Sequence, residues 1–418
     1  MATSQTPDGP ATLKLPTGWT FAALLAGLAL GWAVSGLPAA EAVLAVAGPV
    51  GKVWLRALQM TIVPLVAALL VTGIARMVAT ARAGPMARRT LIVFYAVLTA
   101  GTLVAAFAGP ALLAAFPIPG SAAMALAAHE GAAQPVPGLG AFFESLVAPN
   151  VIAAAAETAM LPLVVFFAVL ALAITRLPEG QRALLLGLFD ALGQAMLTII
   201  GWVLRLAPVG VFALAIGVAA QGGSGAFAAL GHYIVFVAGF GFVILLAAYP
   251  VAVIGGRLSL GRFARAMLPV QAVAVSTQSS LACLPAMLAA SGRLGIRQTS
   301  ADFVLPLAVA IFRATSPAMN LAVAIYVAHL TGNPVTSAML AAGTAVAVLT
   351  TAGSVSLPGS ISFISSIGPI ALAMGLPVEP LAILVAVELL PDIMRTVGNV
   401  TMDVAVAANV DRTAAASR

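Results

Sequence analysis

The chain has 418 residues, of which 62% are hydrophobic and only 8% charged, with a formal net charge of +6 at pH 7. A mean hydropathy of +1.11 leaves too little polar surface to enclose the apolar residues in water, so a water-soluble fold is excluded and a polytopic, all-α membrane protein with the lipid bilayer as solvent is expected. The excess of positive charge calls for no nucleic-acid partner, because the basic residues fall in small clusters between apolar segments, where they orient helices.

In chain order, full spans are predicted over 17–36, 50–75, 90–116, 151–175, 183–219, 227–254, 302–330 and 378–410, eight in all. Residues 21–32 have the apolar character of a signal sequence, but no basic stretch leads directly into them and the apolar pattern continues, so they are read as a retained first span. Clusters at Lys14, at Arg76, Arg82, Arg88 and Arg89, at Arg176 and Arg182, at Arg257, Arg262 and Arg265, at Arg293 and Arg297, and at Arg412 and Arg418 fall in successive inter-span segments. The positive-inside rule assigns them to the cytoplasm, which places both termini inside a cytoplasmic (inner) membrane. The stretch 117–150 contains His129, Glu130 and Glu144 but no Lys or Arg, which suits the outer side; only Lys52 and Arg56 dissent. Cys283 is the single cysteine and excludes an intrachain disulfide, and the three histidines lack metal-site spacing.

Two apolar regions do not behave as spans. A membrane-crossing helix needs about 20 consecutive apolar residues, yet 266–294 is interrupted by QSS at 278–280 with Pro285 following, and 337–375 by TTAGSVSLPGS at 350–360. Each arm is too short to cross, so each region is expected to form a re-entrant helical hairpin. Non-helical backbone at membrane depth is tolerated only where protein buries it or it lines a cavity, so the two tips are expected to meet there. The first hairpin lies between cytoplasmic clusters and the second follows an outward-running span, so they enter from opposite sides, an arrangement that builds a midplane site from half-helix ends.

The most polar part of the last span is PDIMRTVGNVTMD at 391–403. Glu388, Asp392, Arg395, Asn399 and Asp403 follow at spacings of four, three, four and four, which predicts one polar stripe on a single helix. Intramembrane charges cost about 2.5–3.5 kcal/mol each on insertion scales and usually face a bundle interior or an aqueous cavity. The stripe can be a structural set of ion pairs or a binding face. Read as a binding face, the fork of Arg395 suits a ligand carboxylate, Asp392 suits an ammonium or a proton, and Asp403 is a hard oxygen ligand for a small cation.

The segment D-x-x-R-T-x-x-N-V-T-x-D at 392–403 resembles the last helix of the dicarboxylate/amino acid:cation symporter family, the glutamate transporter homologues. Other stretches resemble that family in the same order: WLRALQMTIVPLVAALLVTGI at 54–74, LAPVGVFALA at 206–215, SSLACLP at 279–285, FVLPLAVAI at 303–311, SLPGS at 356–360 and GLPVEPLAIL at 375–384. The resemblance implies a secondary-active transporter, usually a homotrimer, with an elevator mechanism. Scaffold helices would lie in 1–75 and 150–222, and a moving transport domain in 86–117 and 227–411, including both hairpins. Carried over by position, Asp392 would meet a substrate amino group, Arg395 its side-chain carboxylate, and Thr396 and Asn399 its remaining polar atoms. Ser279, Ser280 and the backbone near Leu357 would line the hairpin tips, and Ser316 takes the position of the seventh helix's motif threonine. Gln278 at the first tip and Ser356, Pro358 and Gly359 at the second would form the gates, while Asp403 and the Asn399 backbone match one sodium site.

Two departures stand out. Where the family's seventh helix breaks at N-M-D-G-T, this chain has FRATS at 312–316, so Phe312 and Ala314 replace an expected Asn and Asp. A sodium site there looks disabled, and Arg313 introduces a fixed positive charge. It could act as a tethered surrogate cation near Asp403, pair structurally or snorkel, or join Arg395 in binding a dicarboxylate. The second departure concerns Gln278 and Glu388, which stand at positions where family members often carry an arginine. Glu388 is either a protonatable carboxylate that carries a coupling proton, or an acid that faces water or pairs with a basic residue. An acidic amino acid leads as substrate because Asp392 repels a purely anionic ligand unless protonated, with a succinate-like dicarboxylate as the alternative. The small anionic or zwitterionic substrate would travel with Na+ or H+ and no other cofactor. The sequence has no phosphate-binding loop and nothing that suggests an enzyme; an ion channel or a non-transporting sensor on the same scaffold remains the reading from another class.

Overall fold

In a computed structural model of the chain, the described residues are 17–35, 37–82, 84–119, 144, 146–222, 225–351 and 359–416. They are almost entirely helical and include no strand. The helices are α1 (Thr17–Val34), α2 (Ala39–Gln59), α3 (Ile62–Arg82), α4 (Pro85–Ala115), α5 (Val151–Ala156), α6 (Met160–Ile174), α7 (Glu179–Arg205), α8 (Ala207–Gly222), α9 (Gly225–Pro250, continued by a π turn, Val251–Gly255), α10 (Leu260–Thr277), α11 (Leu284–Leu294), α12 (Gln298–Ile311), α13 (Ser316–Leu330), α14 (Ser337–Thr351), α15 (Gly359–Ala373), α16 (Leu381–Leu384) and α17 (Leu389–Ala416). Helix is the form that satisfies every backbone amide within its own segment, as a nonpolar solvent demands.

Among the described residues, five helical stretches are long and apolar enough to cross a membrane: Ala39–Arg82, Pro85–Ala115, Glu179–Arg205, Ala228–Gly255 and Gln298–Leu330. Several expected spans differ in shape from the sequence reading. The second was expected over 50–75, but its helical stretch begins at Ala39 and turns at Met60 and Thr61. Pro64 has no N–H to give the Met60 carbonyl, which opens the helix at that point. Thr61 closes the gap by donating its hydroxyl to the Leu58 carbonyl at 2.7 Å. The fifth, expected as continuous over 183–219, is divided into α7 and α8 just before Pro208 for the same reason. The last, expected over 378–410, is also divided. Residues 385–388 are turns between α16 and α17, and Pro391, which lies in the first turn of α17, cannot donate to Val387.

Two sets of helices pack among themselves. In one, α1 and α2 lie against α8, and α3 lies against α6 and α7. The α1–α8 contact is close because Gly27 and Gly31 sit one turn apart on α1. A Cβ on them would come within 2.6 Å of the Phe212 carbonyl and 2.4 Å of the Ile216 carbonyl. In the other set, α13 is buried along nearly its whole surface among α4, α9, α14 and α15, as expected of a helix that is apolar all round. Helix α17 lies against α9, α10 and α12. Both regions expected to be hairpins form helix pairs, α10 with α11 and α14 with α15. The first pair starts at Leu260, six residues ahead of the expected boundary at 266, and its joining loop begins at Gln278, which adopts a left-handed conformation (φ 49°).

Trp54 locks the break between α7 and α8. Its indole N–H donates to the Val203 carbonyl at 2.9 Å, and its ring covers Gly210 so closely that a Cβ there would fall 2.1 Å from a ring carbon. The Gly210→Ala variant is therefore expected to lower stability by about 1–3 kcal/mol through overpacking, read as a lower melting temperature of the purified protein in detergent.

Candidate functional site

The polar centre of the molecule forms where the break between α12 and α13 meets α17. The break occurs at Phe312–Thr315 because Pro317, near the start of α13, cannot donate to the Arg313 carbonyl. The freed backbone is satisfied from α17: Asn399 Oδ1 accepts both the Thr315 N–H and the Thr315 hydroxyl, each at 2.9 Å. The Thr315 hydroxyl also lies 3.1 Å from the Arg395 carbonyl. Asn399 thus acts as the clamp that holds a non-helical segment against the last helix, deep in the protein, where unsatisfied amides are costly.

Arg395 is the hub. It is only 5% exposed, its Nη2 donates to Glu388 Oε1 at 2.6 Å, its Nη1 donates to Asn320 Oδ1 at 2.9 Å, and its Nε lies 3.4 Å from Asp392 Oδ1. Glu388 and Asp392 are equally buried, and Tyr233 on α9 donates its hydroxyl to Glu388 Oε2 at 3.4 Å. Arg313, also buried, is within electrostatic range of Asp392 and Arg395. Two carboxylates and two guanidinium groups therefore share one low-dielectric volume, where losing one partner of an ion pair costs about 3–5 kcal/mol.

The expected five-residue stripe is corrected at its start. Glu388 lies in the turn before α17, and its carbonyl accepts the Asp392 N–H at 2.8 Å. Its side chain neither faces water nor stands alone; it pairs with Arg395, which fits the basic-partner alternative of the sequence reading. Thr396 donates its hydroxyl to the Asp392 carbonyl of its own helix. Asp403 lies one turn beyond Asn399 at 0% exposure, and neither of its carboxylate oxygens has a hydrogen-bond partner among the described residues. It is not ion-paired with Arg313.

Ser316 is buried with its hydroxyl unsatisfied among the described residues, while its neighbour Thr315 makes the contacts to α17. At the loop between α10 and α11, Ser279 and Ser280 are half-buried, and Ser279 Oγ accepts the Ala282 N–H at 3.3 Å. The helix pair is seated on α17 through Gln271, which donates to the Thr401 hydroxyl at 3.1 Å. Ser356, Leu357 and Pro358 lie outside the described residues, as does any side-chain detail at Gly359, the first residue of α15. Phe312 stacks on Phe94 of α4 with ring centroids 4.1 Å apart and planes 6° off parallel, and both rings are buried.

A sequence profile of the sodium:dicarboxylate symporter family matches residues 17–413. The chain belongs to this family. It is 28% identical to the proton/glutamate-aspartate symporter of Escherichia coli (strain K12) over 366 residues, covering 84% of this chain and 82% of that one. It is 27% identical to the proton/sodium-glutamate symport protein of Bacillus subtilis (strain 168) over 394 residues, covering 91% and 88%, and 27% identical to C4-dicarboxylate transport protein 2 of Ralstonia nicotianae over 371 residues, covering 84% and 80%. This member of the sodium:dicarboxylate symporter family is a multi-pass membrane transport protein and not an enzyme.

Sequence reasoning overlooked three residues of the symporter's polar centre. Asn320 is the only amide in an otherwise apolar buried helix, and that isolation is a signal that could have flagged it. Thr315 was passed over for Ser316 because the motif alignment is blind to which hydroxyl turns toward α17. Tyr233 has no sequence signal, since an aromatic residue on an apolar helix looks like core. Replacing Asn399 with Ala leaves the buried Thr315 N–H without an acceptor, while the Thr315 hydroxyl keeps the Arg395 carbonyl, and is expected to cost about 1–3 kcal/mol. Thermal unfolding in detergent reads the loss, which should persist in an Asn399→Ala, Thr315→Val double variant because the orphaned donor belongs to the backbone.

Proposed function

We propose that this protein is a secondary-active symporter of acidic amino acids or related C4 dicarboxylates, and that Arg395 binds the substrate's carboxylate. The observation that carries this reading is the buried guanidinium at the junction of α17 and the α12–α13 break, in a chain whose relatives include glutamate-aspartate and C4-dicarboxylate transporters. A charge held out of water at that depth is rarely retained for packing alone. Asp392, 3.4 Å from Arg395, would meet a substrate ammonium, and Thr396, Asn399 and Ser316 the remaining polar atoms. Ser279 and Ser280, with Leu357, would close over the substrate from the two loops, and Gln278, Ser356, Pro358 and Gly359 would belong to the gates.

In this proposal the chain has eight spans and two re-entrant hairpins, α10–α11 and α14–α15, in a cytoplasmic membrane with both termini inside. The self-packing of α1–α3 with α6–α8, and of α4 with α9–α17, supports a division into a fixed scaffold and a moving domain that carries the substrate as an elevator. A homotrimer of scaffolds would provide the stationary frame. A carrier is favoured over a channel because the binding groups are sealed inside a packed body and do not line an open pore.

Coupling is proposed to be reduced relative to the family pattern. Asp403 fits a small cation or a proton, because it is a buried carboxylate with two unsatisfied oxygens. The position left by the expected Asn and Asp does not fit one, because the Phe94–Phe312 stack presents no oxygen there. A dicarboxylate is the second reading, favoured by Arg313, whose charge lies in range of Asp392 and Arg395.

In proteoliposomes, labelled aspartate or succinate uptake is expected to show counterflow, to continue when sodium is replaced by choline, and to fall at least about 100-fold in Arg395→Ala. Absence of counterflow overturns the carrier reading, and complete loss in choline overturns reduced sodium coupling. Sodium is expected to raise the melting temperature of the wild-type protein by mass action and to leave Asp403→Asn unmoved.

A further inference from the structure

Lys52 and Arg56 are the basic residues that the positive-inside assignment leaves outside, and the polar centre makes no use of them. Both are exposed on α2, and neither has an ion-pair partner among the described residues. With Gln59 they follow at spacings of four and three, so the three side chains form one stripe along α2, turned away from its buried Gly51, Trp54 and Leu58. Gln59, the innermost of the three in the proposed topology, reaches across to the other helix set: its Nε2 donates to Glu379 Oε1 at 3.4 Å.

Glu379 is held out on a short, stiff turn between α15 and α16. Pro380 restricts the backbone of Glu379 and fixes its own φ, and the turn is closed by the Leu381 N–H on the Val378 carbonyl and the Ala382 N–H on the Glu379 carbonyl, each at 3.1 Å. Helix α16 then lies against α8, which in turn packs on α2. The turn follows the hairpin proposed to enter from outside, so it belongs to the outer end of the moving domain. Gln59, however, is the last of the 21 residues of α2 and stands near the middle of the stretch Ala39–Arg82. Along the axis it is about 30 Å from the outer start of that helix. An outer-end carboxylate is therefore docked at the mid-depth of the scaffold, which is the geometry of a moving domain drawn inward.

We propose that Lys52, Arg56 and Gln59 are successive docking positions for the Glu379 carboxylate, which passes from one to the next as the moving domain travels along the scaffold, and that the structure shows the innermost. This rests on the elevator reading of the two helix sets. Arg56 lies about 4.5 Å and Lys52 about 10.5 Å outward of Gln59 along the helix axis, so outward movement by about one turn, and then two, brings each within reach of the same carboxylate. The three positions are not equal. A charged donor makes a stronger hydrogen bond to a carboxylate than an amide does, so the ladder favours the outward positions and biases the empty domain toward the side where external substrate is met. It also gives Glu379 a polar partner at each stage, where a bare carboxylate sliding past apolar helices is costly.

Two measurements on the full-length protein in proteoliposomes test the ladder. In a Cys283→Ala background, Glu379→Cys is paired in turn with Gln59→Cys, Arg56→Cys and Lys52→Cys and treated with a short, reducible bifunctional thiol reagent. All three pairs are expected to cross-link, each with loss of the remaining labelled-aspartate uptake, which dithiothreitol restores. In the second measurement, Glu379→Gln and the Lys52→Gln, Arg56→Gln double variant are each expected to lower uptake about two- to fivefold, and all three substitutions together to lower it no further. The four side chains are exposed or half-buried, so these variants are expected to keep the wild-type melting temperature. Cross-linking confined to the Gln59 pair overturns the ladder and leaves the carrier reading standing. Losses that add overturn it too, and assign Lys52 and Arg56 to the lipid surface. Absence of counterflow in the wild-type protein overturns the proposed function and the ladder with it.

Discussion

A guanidinium buried in an apolar protein must be surrounded by acceptors, and much of the interior of this transporter is arranged to meet that demand for Arg395. Glu388 comes from the turn before the last helix, Asp392 from its first turns and Asn320 from the central helix, so three separate backbone segments are tied to one side chain. Each tie also fixes a helix boundary. The turn at 385–388 must end where Glu388 can reach back, and α13 must present Asn320 at the right height. A charge that would be destabilising if left unpaired becomes the feature that specifies how the last helix, the central helix and the broken segment fit together.

Helix interruptions supply the freedom this arrangement needs. Pro64, Pro208, Pro317 and Pro391 each remove an N–H at a place where the chain turns. At the first, the exposed backbone is sealed locally by Thr61; at the second, it is sealed by Trp54 from α2. At Phe312–Thr315 it is sealed by Asn399 from another helix. The first break therefore shapes a single path, the second ties α2 to the α7–α8 junction, and the third brings polar backbone next to the charged centre. The same break explains why the aromatic pair of Phe94 and Phe312 matters: the position that could have offered oxygens to a cation is filled by an apolar stack. Asp403, one turn beyond Asn399, is a buried carboxylate whose two oxygens have no hydrogen-bond partner among the described residues.

Much of this was legible in the primary structure, for physical reasons. The bilayer class follows from composition, the interruptions near 278 and at 312–316 from polar residues and motif position, and the shared face of Asp392, Arg395, Asn399 and Asp403 from helical periodicity. The helix pairs expected around the two Ser- and Gly-bearing loops are present. Continuous spans at 50–75, 183–219 and 378–410 were misjudged because hydropathy averages over a proline without registering the hydrogen bond it removes.

Residue types and their order thus determined the solvent of folding, the family and the set of ionisable groups that had to be buried, since these depend on composition and local spacing. Which groups pair was decided only in three dimensions. Arg313 faces the Asp392–Arg395 centre and not Asp403, Glu388 reaches Arg395 from outside the helix, and Tyr233 and Asn320 arrive from helices about 155 and 75 positions away in the chain. A hydrogen bond is sensitive to tenths of an ångström and to angle, and that geometry is set by how whole helices pack, which no local window of sequence records.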